Sequence, residues 1–200
     1  MGLDMYLNMS RKLSRKRKCD KEVIAFLDSH KDTLVTADED NNKYGAYLGF
    51  YASNSDAVTI GSRLNEMKIF GIPKTAKIDV VRLVDDTWEL QYEVMYWRKA
   101  NQIHQWFVDN VQNSVDDCGS YPVDSCQLEE LMYDVDLVLA DHRIAEDVLP
   151  TQNGFFFGGT EYDDYYYADL RDTKRSLKPL IKRKMYKRED MFQLRYTSSW

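Results

Sequence analysis

The chain has 200 residues, of which 44% are hydrophobic and 30% are charged, and its net charge is −6. A length of this kind predicts one domain over residues 1–200, and no apolar run approaches the roughly 18 residues that span a bilayer. The N-terminus lacks the features of a signal peptide, and the odd, widely spaced cysteines (Cys19, Cys118 and Cys126) form neither a disulfide framework nor a C-x-x-C motif, so we expect a cytosolic protein with reduced thiols.

The first elements are predicted as a strand and a short helix. Apolar and polar residues alternate over residues 3–10, which is typical of a strand with one buried face. A basic segment at residues 11–18 follows as a linker. Asp20 is then expected to cap a helix on which Val23, Ile24 and Leu27 recur at helical spacing.

The pattern between residues 33 and 70 is mixed. Turn-forming residues predict a loop first, then a strand near Tyr44–Tyr51 and a helix near Gly61–Phe70. A clearer signal follows, because Lys77–Val84 and Thr87–Tyr96 alternate in polarity around Asp85-Asp86. This pattern predicts a β-hairpin.

The segment Tyr96–Phe107, with sequence YWRKANQIHQWF, combines aromatic rings, cations and hydrogen-bonding side chains within about three helical turns. Placed on a helix, Trp97, Asn101 and His104 share one face beside an apolar stripe. Arg98 and Lys99 would add positive charge where the helix begins. Polar side chains at the edge of a buried face can line a pocket, but they can also be satisfied inside a core, and the pattern leaves both open.

Two further helices are expected in the second half of the chain. Asp124 and Gln127 have the spacing of a capping box, and the helix that follows must end by Pro150. Thr160 is expected to cap the second helix, which would end or kink at Pro179. The last residues form either a strand at residues 191–196 or a flexible basic tail over residues 179–200.

The segment between these helices, residues 151–170, is rich in aromatic residues. Three consecutive phenylalanines between glycines cannot all face one way, so at least one ring is expected to be exposed or to line a cleft. Tyr162, Tyr165 and Tyr166 are expected to share one helical face with Asp169. With the hairpin, these elements predict an α+β fold, in which a small antiparallel sheet packs against three to four helices.

The chain resembles a family of uncharacterised bacteriophage proteins. The resemblance rests on MGLDMYL at residues 1–7, YWRKANQIHQWFVDNVQ at 96–112, DDC at 116–118 and LPTQNGFFFGGTEYDDYYYADL at 149–170. It implies a phage accessory protein that acts in the host cytoplasm, often against host enzymes or defence systems. No catalytic residues or cofactor follow from it.

Catalytic and metal-binding motifs are weak in this sequence. His104 with Cys118 is the one nucleophile–base pairing considered, and no G-x-S-x-G motif accompanies it. The histidines are isolated, and the glycines fit neither a P-loop nor a dinucleotide-binding pattern. We therefore predict no metal and no cofactor, and favour a protein that is not an enzyme.

A binding pocket accounts better for these residues. Aromatic rings stack on nucleobases, and Arg or Lys pairs with phosphate. The residues expected to line the pocket are Trp97, Arg98, Lys99, Asn101, His104, Trp106, Phe155, Phe156, Tyr162, Tyr165 and Tyr166. The hypothesis is a non-enzymatic binder that sequesters a phosphate-bearing nucleotide-like ligand.

Charge segregation supports a second hypothesis. Residues 11–18 carry 6 basic residues and residues 174–188 carry 8, which leaves 13 basic against 33 acidic residues elsewhere, a net charge of −20. An acidic body of this kind argues against general DNA binding and suits an inhibitor that occupies the nucleic-acid channel of a host or CRISPR-type enzyme. A nucleotide-processing enzyme is the second alternative, and homo-oligomerisation is left open.

Overall fold

The structure is a computed structural model that describes residues 2–37, 43–48, 52, 55–183, 188 and 190–200. The chain divides into two compact units. The hairpin unit comprises Met9–Glu93 and Glu189–Phe192, and the helical unit comprises Met1–Asn8, Val94–Arg188 and Gln193–Trp200. The single domain expected from the chain length stays a prediction.

The secondary structure follows a mixed order of strands and helices. The strands are β1 (Asp4–Lys12), β2 (Thr36–Ala37), β3 (Lys43–Tyr44), β4 (Ala46–Tyr47), β5 (Ile78–Val84), β6 (Thr87–Arg98), β7 (Ser120–Val123) and β8 (Phe192–Ser199). The helices are α1 (Lys21–Ser29), α2 (Lys31–Leu34), α3 (Ser55–Glu66), α4 (Asn101–Asn110), α5 (Ser125–Ala140), α6 (Ala145–Val148) and α7 (Asp164–Arg183).

The strands form two sheets. One is a six-stranded antiparallel sheet in the order β4-β5-β6-β1-β8-β7, and the other pairs β2 with β3. The predicted α+β class is confirmed. The C-terminal residues form strand β8, which is one of the two alternatives expected for them.

The predicted hairpin is confirmed in β5 and β6. Val84 lies opposite Thr87, so the loop consists of Asp85 and Asp86 alone, with φ angles of 47° and 58°. Both residues are therefore in the left-handed conformation that a two-residue type I′ turn requires.

Arg11 and Asp20 form a buried ion pair in the hairpin unit, where the sequence predicted a basic linker and a helix cap. Both side chains are 0% exposed, and Arg11 Nη2 lies 2.6 Å from Asp20 Oδ1. Arg11 Nε also donates to the Phe70 carbonyl at 3.1 Å, while Asp20 Oδ2 accepts from Ser14 N at 2.9 Å. The Asp20 side chain makes no cap hydrogen bond to α1. The capping prediction was therefore wrong, because this carboxylate neutralises Arg11 instead.

The helical unit buries one face of its strands and the facing sides of α4, α5 and α7. Buried apolar side chains of the unit include Leu3, Met5, Leu7, Trp97, Ile103, Phe107, Leu128, Leu131, Val135, Leu170, Leu177, Leu194 and Tyr196. Phe107 and Tyr196 stack with ring centroids 3.9 Å apart and planes 10° apart. This core fixes α4 and the start of α7, the two helices that position the candidate site.

One helix start is where the sequence predicted it, and other helix ends differ from the predictions. Asp124 and Gln127 form the predicted capping box at the start of α5. Helix α3 begins at Ser55, earlier than expected. Helix α7 does not end at Pro179 but continues to Arg183, and the kink, the other alternative for Pro179, stays a prediction. Asp163 caps α7 instead of Thr160, because its carboxylate accepts from Tyr165 N at 3.0 Å and Tyr166 N at 3.1 Å. The strand expected at residues 44–51 falls partly on residues 49–51, outside the described ranges.

Candidate functional site

A groove of about 430 Å³ lies within the helical unit, where β6 ends and α4 begins. The loop at residues 151–161 and the first turns of α7 form its other side. The predicted site residues that line it are Arg98, Lys99, Asn101, Tyr165 and Tyr166. The other lining residues are Gln102, Thr151, Gly158, Gly159, Glu161, Asp163 and Asp169. The two segments that the sequence singled out therefore meet around one opening.

The sharp connection between β6 and α4 places both cations at this opening. Lys99 has a φ of 60°, a left-handed conformation, at the turn between strand and helix. Lys99 N donates to the Leu3 carbonyl at 2.8 Å, which holds this turn in place. Arg98 Nη1 lies 3.5 Å from Asp4 Oδ1, so part of its charge is already paired. The Lys99 side chain is exposed.

Gly158 allows the loop to approach Lys99 closely. Its φ is 93°, which disfavours any other residue, and a Cβ there would lie 3.1 Å from Lys99 Cβ and 3.2 Å from the Lys99 carbonyl oxygen. The sequence indicated that the glycines on either side of the phenylalanines let the backbone come close to another group. The structure identifies Lys99 as the group that is approached.

Asn101 holds the wall of the groove. Its Nδ2 donates to the carbonyls of Phe157 at 3.0 Å and Gly159 at 2.8 Å, and its Oδ1 accepts from Gln152 N at 2.9 Å. The residue is 2% exposed, so both N–H donors of the amide are used within the protein. Asn101 therefore positions the loop and has no donor left for a ligand.

His104 lies in the interior and is not among the lining residues. It is 0% exposed, its Nδ1 lies 2.7 Å from Tyr196 Oη, and its Nε2 lies 3.0 Å from Asp116 Oδ2. Its partners are thus a tyrosine and a carboxylate, and not Cys118, whose side chain is exposed. Burial raises the pKa of Tyr196 well above its ordinary value, which keeps this hydroxyl neutral. His104 is therefore satisfied inside the core, which is one of the two alternatives that the sequence left open for it.

Trp97 and Trp106 are core residues. They are 2% and 6% exposed, and their indole N–H groups donate to Thr173 Oγ1 at 2.7 Å and Asp134 Oδ2 at 2.9 Å. Trp97 does not share a helical face with Asn101 and His104, because β6 continues through Arg98 and the helix begins only at Asn101. Neither indole is among the residues that line the groove, and the stacking role predicted for both finds no support there.

Of the remaining aromatic residues, Tyr165 and Tyr166 line the groove, and Phe155, Phe156 and Tyr162 do not. Phe155 is 96% exposed and contacts the Phe156 ring at 4.9 Å, while Phe157 is the buried member of the run, so the predicted exposure of one ring is confirmed. Phe156 and Tyr162 are outside the set of lining residues, and Tyr162 packs on Tyr166 at 5.0 Å. Tyr165 is 82% exposed and does line the groove. It is therefore the ring that a ligand can reach.

Asp169 is the partly buried carboxylate among the groove residues that the sequence did not include in the site. Burial raises its pKa to about 6, and the nearby carboxylates of Asp172 and Asp163 act in the same direction. Gln102 Nε2 donates to Asp169 Oδ2 over a long distance of 3.4 Å, which opposes the shift. A signal was present in the sequence, because Asp169 is four residues after Tyr165 and such residues share a helical face.

Replacing Asp169 with asparagine is expected to stabilise the protein at pH 7.5 by about 1–2 kcal/mol. Its folded pKa of about 6 exceeds the ordinary value of 3.8, so ionisation at neutral pH costs the folded chain more than the unfolded one. The full shift corresponds to about 3 kcal/mol, which solvent screening reduces because the residue is partly exposed.

Urea unfolding of both proteins at several pH values measures this difference. The advantage of Asp169→Asn should shrink as the pH falls from about 6 to about 4, because the wild-type carboxyl becomes neutral in the folded chain. A gain that stays constant over this range would contradict the assignment.

The fold and the groove place the protein in a broad structural class, the α+β proteins, and give it a small, open, polar groove. Comparison with known proteins finds no matching family model, no matching curated protein and no matching solved structure. The phage relationship therefore stays a prediction. Over the described ranges, none of the helices has the length and apolar character needed to cross a membrane. Within those same residues, no three His, Cys, Asp or Glu side chains are grouped to hold a metal ion.

Proposed function

We propose that the groove of the helical unit binds a small nucleotide with one or two phosphate groups, and that the protein sequesters this ligand without converting it. The observation that carries the proposal is the meeting of Arg98 and Lys99 with the exposed ring of Tyr165 around one opening. In the bacteriophage setting that the family resemblance implies, the ligand would be a nucleotide signal of the host's defence.

Charge limits the size of the ligand's anionic group. Two cations, Arg98 and Lys99, face three carboxylates, Glu161, Asp163 and Asp169, around the groove. Arg98 is already close to Asp4, so Lys99 supplies most of the attraction for a phosphate. A triphosphate would bring more negative charge than these groups can balance, which favours a mononucleotide or a cyclic nucleotide.

The base would stack on Tyr165. Stacking on an aromatic side chain contributes roughly 1–3 kcal/mol per base, and the Tyr165 ring is 82% exposed, so its face is accessible. A volume of about 430 Å³ lies within the ordinary range of ligand pockets, roughly 300–1,000 Å³.

Thermal-shift and calorimetric titrations with mononucleotides and cyclic nucleotides test the proposal. Lys99→Glu should weaken binding at least tenfold, which is about 1.4 kcal/mol, and Tyr165→Ala about fivefold or more. The matched controls are Lys178→Glu and Tyr133→Ala, which change exposed residues of the helical unit outside the groove lining.

Two results would replace the proposal with one of the alternatives. Nucleotide turnover in the same samples, seen by chromatography, would indicate an enzyme. A salt-sensitive complex with a host protein, together with no response to nucleotides, would indicate the acidic inhibitor.

A further inference from the structure

Where Asp169 lines it, the groove presents a carboxylate with little hydrogen bonding. Asp169 Oδ2 accepts from Gln102 Nε2 at 3.4 Å, near the limit for a hydrogen bond. Asp169 is partly buried and lines the groove. At pH 7.5, above its pKa of about 6, its two oxygens can only accept hydrogen bonds. A ligand that contacts Asp169 must therefore bring N–H or O–H donors.

The position of Asp169 relative to Tyr165 indicates where those donors must lie. The two residues are four apart on α7, so both side chains lie on the same helical face, one turn apart. A base that stacks on the Tyr165 ring would point one edge along the helix toward Asp169. The donors must therefore belong to the edge of the base, while the phosphate lies toward Lys99.

The nucleobases differ in what this edge offers a carboxylate. Guanine has two adjacent donors, N1–H and the N2 amino group, which can contact both oxygens of one carboxylate. Adenine offers its N6 amino group beside N1, which is an acceptor and is repelled by an ionised carboxylate. Hypoxanthine keeps N1–H and lacks the N2 amino group, so its expected affinity for the carboxylate falls between those of guanine and adenine.

We propose that Asp169 recognises the Watson–Crick edge of guanine, so that the ligand of the groove is a guanine nucleotide. This rests on the proposed function, because it assigns the base of a nucleotide whose phosphate and ring are placed by Lys99 and Tyr165. Gln102 acts as a positioning residue, since its amide holds one oxygen of the Asp169 carboxylate.

Calorimetric titration with GMP, IMP and AMP at pH 7.5 tests the assignment on the full-length protein. GMP should bind at least tenfold more tightly than AMP, and IMP should lie between them. Asp169→Asn should weaken GMP binding at least tenfold and change AMP binding by less than twofold. The matched control is Asp164→Asn, which removes an exposed carboxylate from the same helix outside the groove lining and should leave the order and affinities within twofold.

The possible outcomes separate this inference from the proposed function. AMP binding as tight as GMP binding, or an equal loss for both in Asp169→Asn, would overturn guanine recognition and leave a nucleotide-binding groove. No binding of any of the three nucleotides to the wild-type protein would overturn both. The comparison of GMP with IMP and AMP needs no variant, so it remains decisive if a substitution prevents folding.

Discussion

Replacing Asp20 with alanine is expected to lower the free energy of unfolding by about 3–5 kcal/mol. The substitution removes the carboxylate that pairs with Arg11 at 2.6 Å, and both side chains are fully buried. The guanidinium would keep the Phe70 carbonyl as a hydrogen-bond acceptor and the Phe192 ring at 5.7 Å, but no negative charge would compensate it. Urea unfolding of the wild type and the variant measures the loss.

The double variant Arg11→Met/Asp20→Ala distinguishes charge imbalance from lost packing. It removes both charges, so it should be more stable than Asp20→Ala alone, although Ser14 N still loses its acceptor. A double variant that is less stable than Asp20→Ala would show that the pair contributes through packing, contrary to this account.

The second large loss of stability is expected for the substitution Asn101→Asp, in which the new side chain has nearly the same size and shape as asparagine. Asn101→Asp replaces the amide that donates to the carbonyls of Phe157 and Gly159 with a carboxylate that repels both. Two buried hydrogen bonds are lost and a charge is buried, so the expected cost is about 3–4 kcal/mol. The loop should also lose its fixed position, which would abolish binding in the groove.

Asn110→Asp is the matched control on the same helix. Asn110 is exposed, and its amide makes one hydrogen bond, to the Trp106 carbonyl at 2.9 Å. The expected loss of stability is below about 1 kcal/mol. Equal losses at the two positions would show that Asn101 does not hold the loop as described.

Local patterns in the sequence predicted those elements that depend on neighbouring residues. The two-residue hairpin at Asp85-Asp86 and the capping box of Asp124 and Gln127 both arise from hydrogen bonds within a few residues, and both are present. Pairing of distant segments was less predictable. Asp20 has a suitable position and type for an N-cap, but Arg11 draws its carboxylate away, and no local rule identifies a buried arginine.

The candidate site was predicted in part. The sequence identified the two segments that form the groove, including Lys99 and Tyr165, from their mixture of cations and rings. The sequence did not predict which side chains point into the groove. The reason is that the helix was assumed to begin at Tyr96, and this choice decides which residues share a helical face. The left-handed turn at Lys99 shifts the helical register, and lysine is not a residue that signals such a turn. Trp97 therefore packs in the core.

A nitrogen-15 NMR titration of the wild-type protein with GMP locates the ligand most directly. The largest amide shifts are expected at Lys99, Gly158, Gly159 and Asp169, with small changes at the indole N–H groups of Trp97 and Trp106. Shifts that are absent, or confined to the hairpin unit around Asp85 and Asp86, would contradict the assignment of the groove as a nucleotide site.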